Sequence, residues 1–325
     1  MAEVESKNIF ITGGAGFFGS VFVKRLLAIE STSKITVFDR NAHNKERCRI
    51  RETDNRIALV EGDLQNFSLL CESMKEHDTV IHLASNADIA RAVNEPTIDF
   101  EEGTVLTQNV LEAARINGVS RVLYASGSGV YGDAGTAELR EEDCARLPIS
   151  TYGASKLAGE SLLSAYCHMF DLSGIVFRFA NIVGAGQTHG IALDFVEKLK
   201  RNPQELLILG DGSQTKSYIH VDDAFDAVWL AHTKMKERFN VFNVASVDSV
   251  TVNQIAEIAI EEVLGKNAKI TLKLTGGNRG WKGDVPVVKL NTEKIRALGF
   301  AAKNSSADAI RLAIQGIIAG VEAPS

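Results

Sequence analysis

A β-branched and aromatic run, Ile9-Phe10-Ile11-Thr12, leads straight into Gly13-Gly14-Ala15-Gly16-Phe17-Phe18-Gly19. Gly14, Gly16 and Gly19 keep the G-x-G-x-x-G spacing of a phosphate-binding turn between a strand and a helix. Glycines at these places let the chain turn tightly and let its backbone approach a pyrophosphate. They also let the next helix pack close to the sheet with its amino end aimed at the anion. Residues 17–29 carry helix-like apolar spacing, and a second strand over 34–38 ends in Asp39, about 20 residues past the glycines. A carboxylate there accepts hydrogen bonds from both hydroxyls of an adenine ribose and repels a 2′-phosphate, which predicts NAD over NADP. Arg40, next in the chain, argues the other way, because a guanidinium can hold that phosphate.

The rest of the chain alternates strand and helix signals as far as Gly184. Short apolar runs at 57–60, 79–83, 121–125 and 174–177 read as buried parallel strands, and helical patterns at 97–116 and 152–170 suit crossovers on both faces of one sheet. Beyond Gly184, shorter strands at 206–209 and 218–221 mix with helices at 252–264 and 307–318, the pattern of a smaller lobe covering a cleft. The expectation is an α/β protein with a Rossmann-type, doubly wound parallel sheet and a smaller C-terminal α/β substrate lobe. Residues 1–184 would bind the dinucleotide, with segments around 214–245 returning to that domain, and 185–325 would form most of the lobe.

At 325 residues and 45% hydrophobic, the chain has enough apolar material for such a core, and its net charge of −6 gives no reason to expect nucleic acid. No apolar run approaches a membrane span, and residues 1–7 are too polar and short for a signal peptide. Cys48, Cys71, Cys144 and Cys167 lack metal-ligand spacing, as do the seven histidines, so the expectation is a cytoplasmic protein with reduced cysteines and no metal.

A second motif, Tyr152-Gly153-Ala154-Ser155-Lys156, opens the helical pattern at 152–170. Residues four apart share a helix face, so Tyr152 and Lys156 can both point at a cofactor held at the strand ends. A nearby ammonium and a positive nicotinamide ring each stabilise a phenolate, which makes Tyr152 a usable acid or base.

With these two motifs in place, the chain resembles the extended short-chain dehydrogenase/reductase family, and within it the UDP-glucose 4-epimerase branch. The resemblance runs nearly end to end, through Asp63-Leu64, His82-Leu83-Ala84, Val130-Tyr131-Gly132-Asp133, Arg178-Phe179-Ala180-Asn181, Leu209-Gly210-Asp211-Gly212, Tyr218-Ile219-His220-Val221 and Gly283-Asp284. It implies that Gly13, Gly16, Phe17, Phe18, Gly19, Asp39 and Arg40 bind the cofactor. Asp63, Leu64, Leu83, Ala84, Ser85 and Phe179 would join them, with Tyr152 and Lys156 holding the nicotinamide ribose and the reacting sugar. It further implies a UDP-sugar held by Asn181, Leu207, Leu209, Lys216, Tyr218 and Asp284. Lys216 stands where many members place an arginine on the diphosphate, and Arg279 or Lys282 would supply a second grip. The two long helices resemble those that pair with a twin subunit, which implies a homodimer.

Two departures bear on chemistry. Counted back from Val130, the catalytic Ser or Thr of the resembling proteins falls on Gly127, which has no hydroxyl to relay a proton to Tyr152. Ser126 or Ser128 would substitute, or Tyr152 would act directly. An Asn usual on the preceding long helix corresponds to Gly103. The Asp-Glu pair by which resembling 4,6-dehydratases eliminate water is replaced by Ser128 and Gly129, leaving redox-neutral epimerisation at carbon 4 as the expected reaction. The default substrates are UDP-glucose and UDP-galactose, with UDP-glucuronate and UDP-N-acetylhexosamines as alternatives. A net reductase or 3,5-epimerase of the same family, and a non-catalytic NAD-binding protein motivated by Gly127, are the competing readings.

Overall fold

The computed structural model describes residues 7–44, 48, 50, 54–86, 88–143, 146–280 and 283–320. Cys144 and Lys282 therefore lie outside the described residues.

Strand β1 (Asn8–Thr12) runs into helix α1 (Phe17–Leu27), followed by β2 (Lys34–Asp39), β3 (Ile57–Glu61), α2 (Phe67–Ser73) and β4 (Thr79–His82). Next come α3 (Leu106–Ile116), β5 (Arg121–Gly127), β6 (Glu138–Leu139), α4 (Thr151–Met169), β7 (Ser173–Phe179) and β8 (Asn181–Val183). The chain continues through α5 (Ile191–Arg201), β9 (Glu205–Ile208), β10 (Thr215–Lys216), β11 (Tyr218–His220), α6 (Val221–Lys234) and β12 (Phe239–Val244). It ends with β13 (Val250–Thr251), α7 (Val252–Leu264), β14 (Thr271–Leu274), β15 (Val287–Leu290), α8 (Glu293–Ala297) and α9 (Ser306–Ile318).

Seven strands form one sheet in the order β3-β2-β1-β4-β5-β7-β12, with every neighbouring pair parallel. Successive side chains on these strands leave by opposite faces, and both faces are covered. Ile9, Ile11, Val37, Ile81, Leu123 and Phe177 pack with α1 and α6, whereas Phe10, Phe38, Val80, Val122, Tyr124 and Val176 pack with α2, α3 and α4. That two-sided burial is why the strands read as unbroken apolar runs. The chain leaves β1 in one direction to β2 and β3, then returns to β4 on the other side. The crevice at the carboxyl ends of β1 and β4 is therefore the topological switch point, where open α/β sheets bind ligands.

The smaller strands gather into a four-stranded sheet, β13-β10-β15-β6, and two two-stranded ribbons, β11-β8 and β14-β9. A separate apolar cluster joins α5, α7 and α9 through Phe195, Val196, Leu199, Ile255, Ala259, Ile310 and Ile314. The helix expected over 97–116 begins instead as a π-helical turn, Phe100–Val105, before continuing as α3. Such widened turns concentrate near functional sites. Here the turn lies against α4, where a side chain at Gly103 would run into the Ser155 hydroxyl.

Candidate active site

The phosphate turn is built by backbone contact. Gly13 has φ +70° and donates its N–H to the Phe38 carbonyl at 3.0 Å, and a Cβ there would lie 2.8 Å from the Ala84 nitrogen. A Cβ on Gly19 would enter the backbone of Gly13 and Gly14, so α1 sits against the turn only because residue 19 has no side chain. Gly16 caps α1 with no side-chain acceptor, which leaves the amides of the first turn for an anion. Asp39 stiffens the same corner, accepting from Ala15 N–H at 3.2 Å and from Asn41 N–H at 2.8 Å. Phe18 packs edge-on against Phe22 and Phe179, and Phe17 borders Gly184, so the aromatic pair after the glycines anchors the helix start to β7 and β8. Leu83, Ala84 and Ser85 leave the end of β4 opposite this turn, half-buried. Asp63 and Leu64 follow β3; Leu64 is buried and its carbonyl accepts from Asn109 at 3.0 Å. This glycine cradle, free helix terminus and acidic ribose position fit a dinucleotide.

Helix α4 supplies the reactive pair. Ser150 caps it by accepting from Gly153 N–H, which places Tyr152 in the first turn and Lys156 one turn later. The Lys156 ammonium is 4% exposed, donates to the Ala125 carbonyl at 2.8 Å, and lies 5.6 Å from the centre of the Tyr152 ring. Burial pushes the Lys156 ammonium down to about 8, opposed by the carboxylates of Glu160 and Asp99. Burial, with a smaller contribution from Asp99, pushes the Tyr152 phenol up to about 12. With burial outweighing the Lys156 charge, Tyr152 is a proton donor at neutral pH; a positive nicotinamide ring beside it would further favour its phenolate.

Nothing in the sequence marked Asp99. Its side chain is buried, accepting from Thr151 Oγ1 at 2.7 Å and from Asn86 Nδ2 at 2.9 Å, so it ties the start of α4 to the loop after β4. His82, as its strand position suggested, is internal. It bridges Thr12 at 2.7 Å and Thr107 at 3.1 Å, and burial with the nearby Lys156 charge pushes it down to about 3, so the imidazole is neutral.

The two serine candidates part company. Ser126 donates to Glu160 Oε1 at 2.5 Å inside a buried cluster in which Arg178 reaches Glu160 at 2.7 Å and the Tyr131 hydroxyl at 2.9 Å. Ser126 and Arg178 are register partners on β5 and β7, both facing α4. Its hydroxyl is committed to the Glu160–Arg178 ion pair. Ser128 lies half-buried in the short 3-10 turn Ser128–Tyr131, with no side-chain hydrogen bond among the described residues. A Cβ at Gly127 would meet only Phe179 O at 3.9 Å and the Tyr152 ring edge and hydroxyl at 4.0 Å, so the space for a hydroxyl is present but unfilled by side chain.

Lys216 donates to Asp284 Oδ1 at 2.6 Å, and Arg279 donates to the Asp284 carbonyl and to Asp133 Oδ2, both at 2.6 Å. Three expected substrate residues, Lys216, Arg279 and Asp284, are thus one cluster. Tyr218 is buried nearby on β11, its phenol pushed up by burial and by Asp284. Asn181 is exposed on β8, and Leu207 and Leu209 present apolar side chains outward along and just beyond β9. Among the described residues no group of three or more His, Cys, Asp or Glu side chains could hold a metal.

A seven-stranded Rossmann sheet with this turn and a Tyr-x-x-x-Lys pair defines a nucleotide-dependent oxidoreductase-type fold. Residues 9–245 match the family described as the NAD dependent epimerase/dehydratase family, and the chain belongs to it. A UDP-glucose 4-epimerase of Mycolicibacterium smegmatis is 34% identical over 71% of this chain and 75% of its own length. A solved UDP-galactose 4-epimerase superposes with TM-score 0.84 at 34% identity, covering 97% of this chain and 99% of that one. MoeE5 in complex with UDP-glucuronic acid and NAD superposes with TM-score 0.83 at 26% identity, covering 97% and 100%. NAD is the cofactor of the family.

Proposed function

We propose that this protein interconverts UDP-hexoses at sugar carbon 4, with UDP-glucose and UDP-galactose as the default pair. One observation carries the choice within an epimerase/dehydratase family. The segment beside Tyr152 offers Gly127, Ser128 and Gly129, and none of these is a carboxylate that could drive elimination of water. A single acid/base at the hydroxyl is all that epimerisation demands.

NAD, when bound, would supply the hydride acceptor and donor for carbon 4 of the sugar. Gly13, Gly16, Phe17, Phe18, Gly19, Asp39, Asp63, Leu64, Leu83, Ala84, Ser85 and Phe179 would hold it. Tyr152 removes the proton from the carbon-4 hydroxyl and restores it to the 4-keto sugar, while the Lys156 charge keeps the phenolate accessible. Lys216 and Arg279 would anchor a diphosphate by exchanging their contacts with Asp284 and Asp133 for it, with Asn181 beside it and Asp284 and Tyr218 bordering the nucleotide. Leu207 and Leu209 offer an apolar edge to the base. Because the grip is on the diphosphate, the keto-sugar turns over between the two hydride transfers. In this reading residues 1–184, with 214–245, hold the cofactor and 185–325 mostly the sugar nucleotide. A homodimer through α3 and α4 is part of the proposal, favoured by the exposed Phe100, Ile116 and Met169 at the ends of these helices.

The test is incubation with UDP-galactose, UDP-glucose, UDP-N-acetylglucosamine and UDP-glucuronate, without added reductant, following carbon-4 configuration by proton NMR. Conversion of UDP-galactose or UDP-glucose to an equilibrium mixture is expected. Conversion of neither, with NAD bound, overturns the assignment.

A further inference from the structure

Arg40 is the sequence feature that the cofactor assignment leaves unexplained. It follows Asp39 at the carboxyl end of β2, the position beside the adenine ribose in dinucleotide-binding folds. Its side chain, however, is engaged. Both terminal nitrogens donate to Glu102, Nη1 to Oε1 and Nη2 to Oε2, each at 3.2 Å, and Nη1 also lies 3.9 Å from Asp63 Oδ2. That fork geometry is the one a guanidinium uses to grip a phosphate. Glu102 occupies it.

The three carboxylates come from three different places. Asp39 ends β2, Asp63 follows β3, and Glu102 projects from the π-helical turn before α3. Their sequence separations hide the cluster. With Arg40 they leave a formal charge of −2 at the ribose edge, and a 2′-phosphate adds about two more negative charges to it. The Glu102 side chain is the more enclosed partner, 22% exposed against 54% for Arg40. Glu102 also shares its turn with Gly103, and that turn packs against α4.

We propose that Glu102, assisted by Asp63, enforces the preference for NAD by holding Arg40 in a carboxylate clamp that denies it to a 2′-phosphate. Asp39 alone does not set the preference: an unclamped Arg40 would oppose it. The inference rests on the family's cofactor and is independent of which sugar the enzyme converts.

The experiment is competition of NAD⁺ and NADP⁺ against bound NADH, read by NADH fluorescence, with no sugar nucleotide present. Glu102→Gln keeps the size of the side chain and removes its charge. It is expected to tighten NADP⁺ about tenfold while NAD⁺ stays within about threefold, the size of one partly exposed charge-assisted contact. Adding Arg40→Met to that variant is expected to abolish the gain, and Arg40→Met alone to leave NADP⁺ within about twofold of the unaltered protein. Three results each overturn the proposal: no NADP⁺ gain in Glu102→Gln, a gain that survives Arg40→Met, or a loss of NADP⁺ binding from Arg40→Met alone. The thermal unfolding midpoint of every variant reports folding separately.

Discussion

Restoring a side-chain hydroxyl at position 127 tests the active-site reasoning most directly. Gly127 has extended backbone, φ −157° and ψ 167°, which any residue adopts, and the nearest atoms to an added Cβ lie at ordinary contact distance. Gly127→Ser should therefore leave stability within about 0.5 kcal/mol. Since that Cβ would lie 4.0 Å from the Tyr152 hydroxyl, one further bond brings a serine Oγ within hydrogen-bond reach, about 2.6–3.2 Å. A hydrogen bond to a charged oxygen contributes about 1.5–3 kcal/mol, or about one to two pKa units in favour of the phenolate. Tyr152, raised to about 12 by burial, then holds about 10- to 100-fold more phenolate at neutral pH. The assay is the pH dependence of kcat/KM for UDP-galactose: the basic group's limb should move down by about one to two units, with kcat/KM at pH 7 rising about 10- to 100-fold. An unshifted limb together with unchanged turnover would refute the reasoning, because it would mean that the space beside Gly127 is not where the proton is handled.

Tyr152→Phe should lose at least about 100-fold in turnover while retaining NAD, measured by NMR conversion and by cofactor content; unchanged turnover removes the tyrosine from the mechanism. Glu160→Gln strands Arg178 in a buried site, and its urea midpoint should report a loss of about 3–5 kcal/mol, partly recovered when Arg178→Met is added. His82 and His232 are buried and held down to about 3 and about 4, so the unfolded chain binds their protons first as pH falls below its ordinary value of about 6.5. Their stabilising contribution is complete above that pH and shrinks on acidification until the folded values are reached. Each should cost about 2 kcal/mol between pH 7 and pH 5, and a urea midpoint that stays level across this range contradicts the assignment.

Local rules account for what the sequence disclosed. A strand ending in glycines and followed by a helix leaves little choice of turn, and the carboxylate ending the next strand, Asp39, braces that same turn. Apolar runs over 79–83, 121–125 and 174–177 became central strands because burial on both faces removes any need for polar alternation, whereas 57–60 became the half-buried edge strand β3. Tyr152 and Lys156 were legible because they share one helix, where spacing alone fixes the common face.

Relations across elements were not legible. Whether Ser126 or Ser128 faces Tyr152 depends on strand direction relative to α4, and register with Arg178 turned Ser126 into the Glu160 cluster. Asp99 becomes part of the site only when the loop after β4 and the start of α4 close around it through Asn86 and Thr151. Glu102 meets Arg40 across 62 residues. By itself, then, the sequence determined the sheet, the dinucleotide turn and the reactive pair, because each is written in neighbours along one strand or helix. The tertiary structure decided which charges face one another, since hydrogen bonds and Coulomb forces act over a few ångströms of space and are blind to distance along the chain.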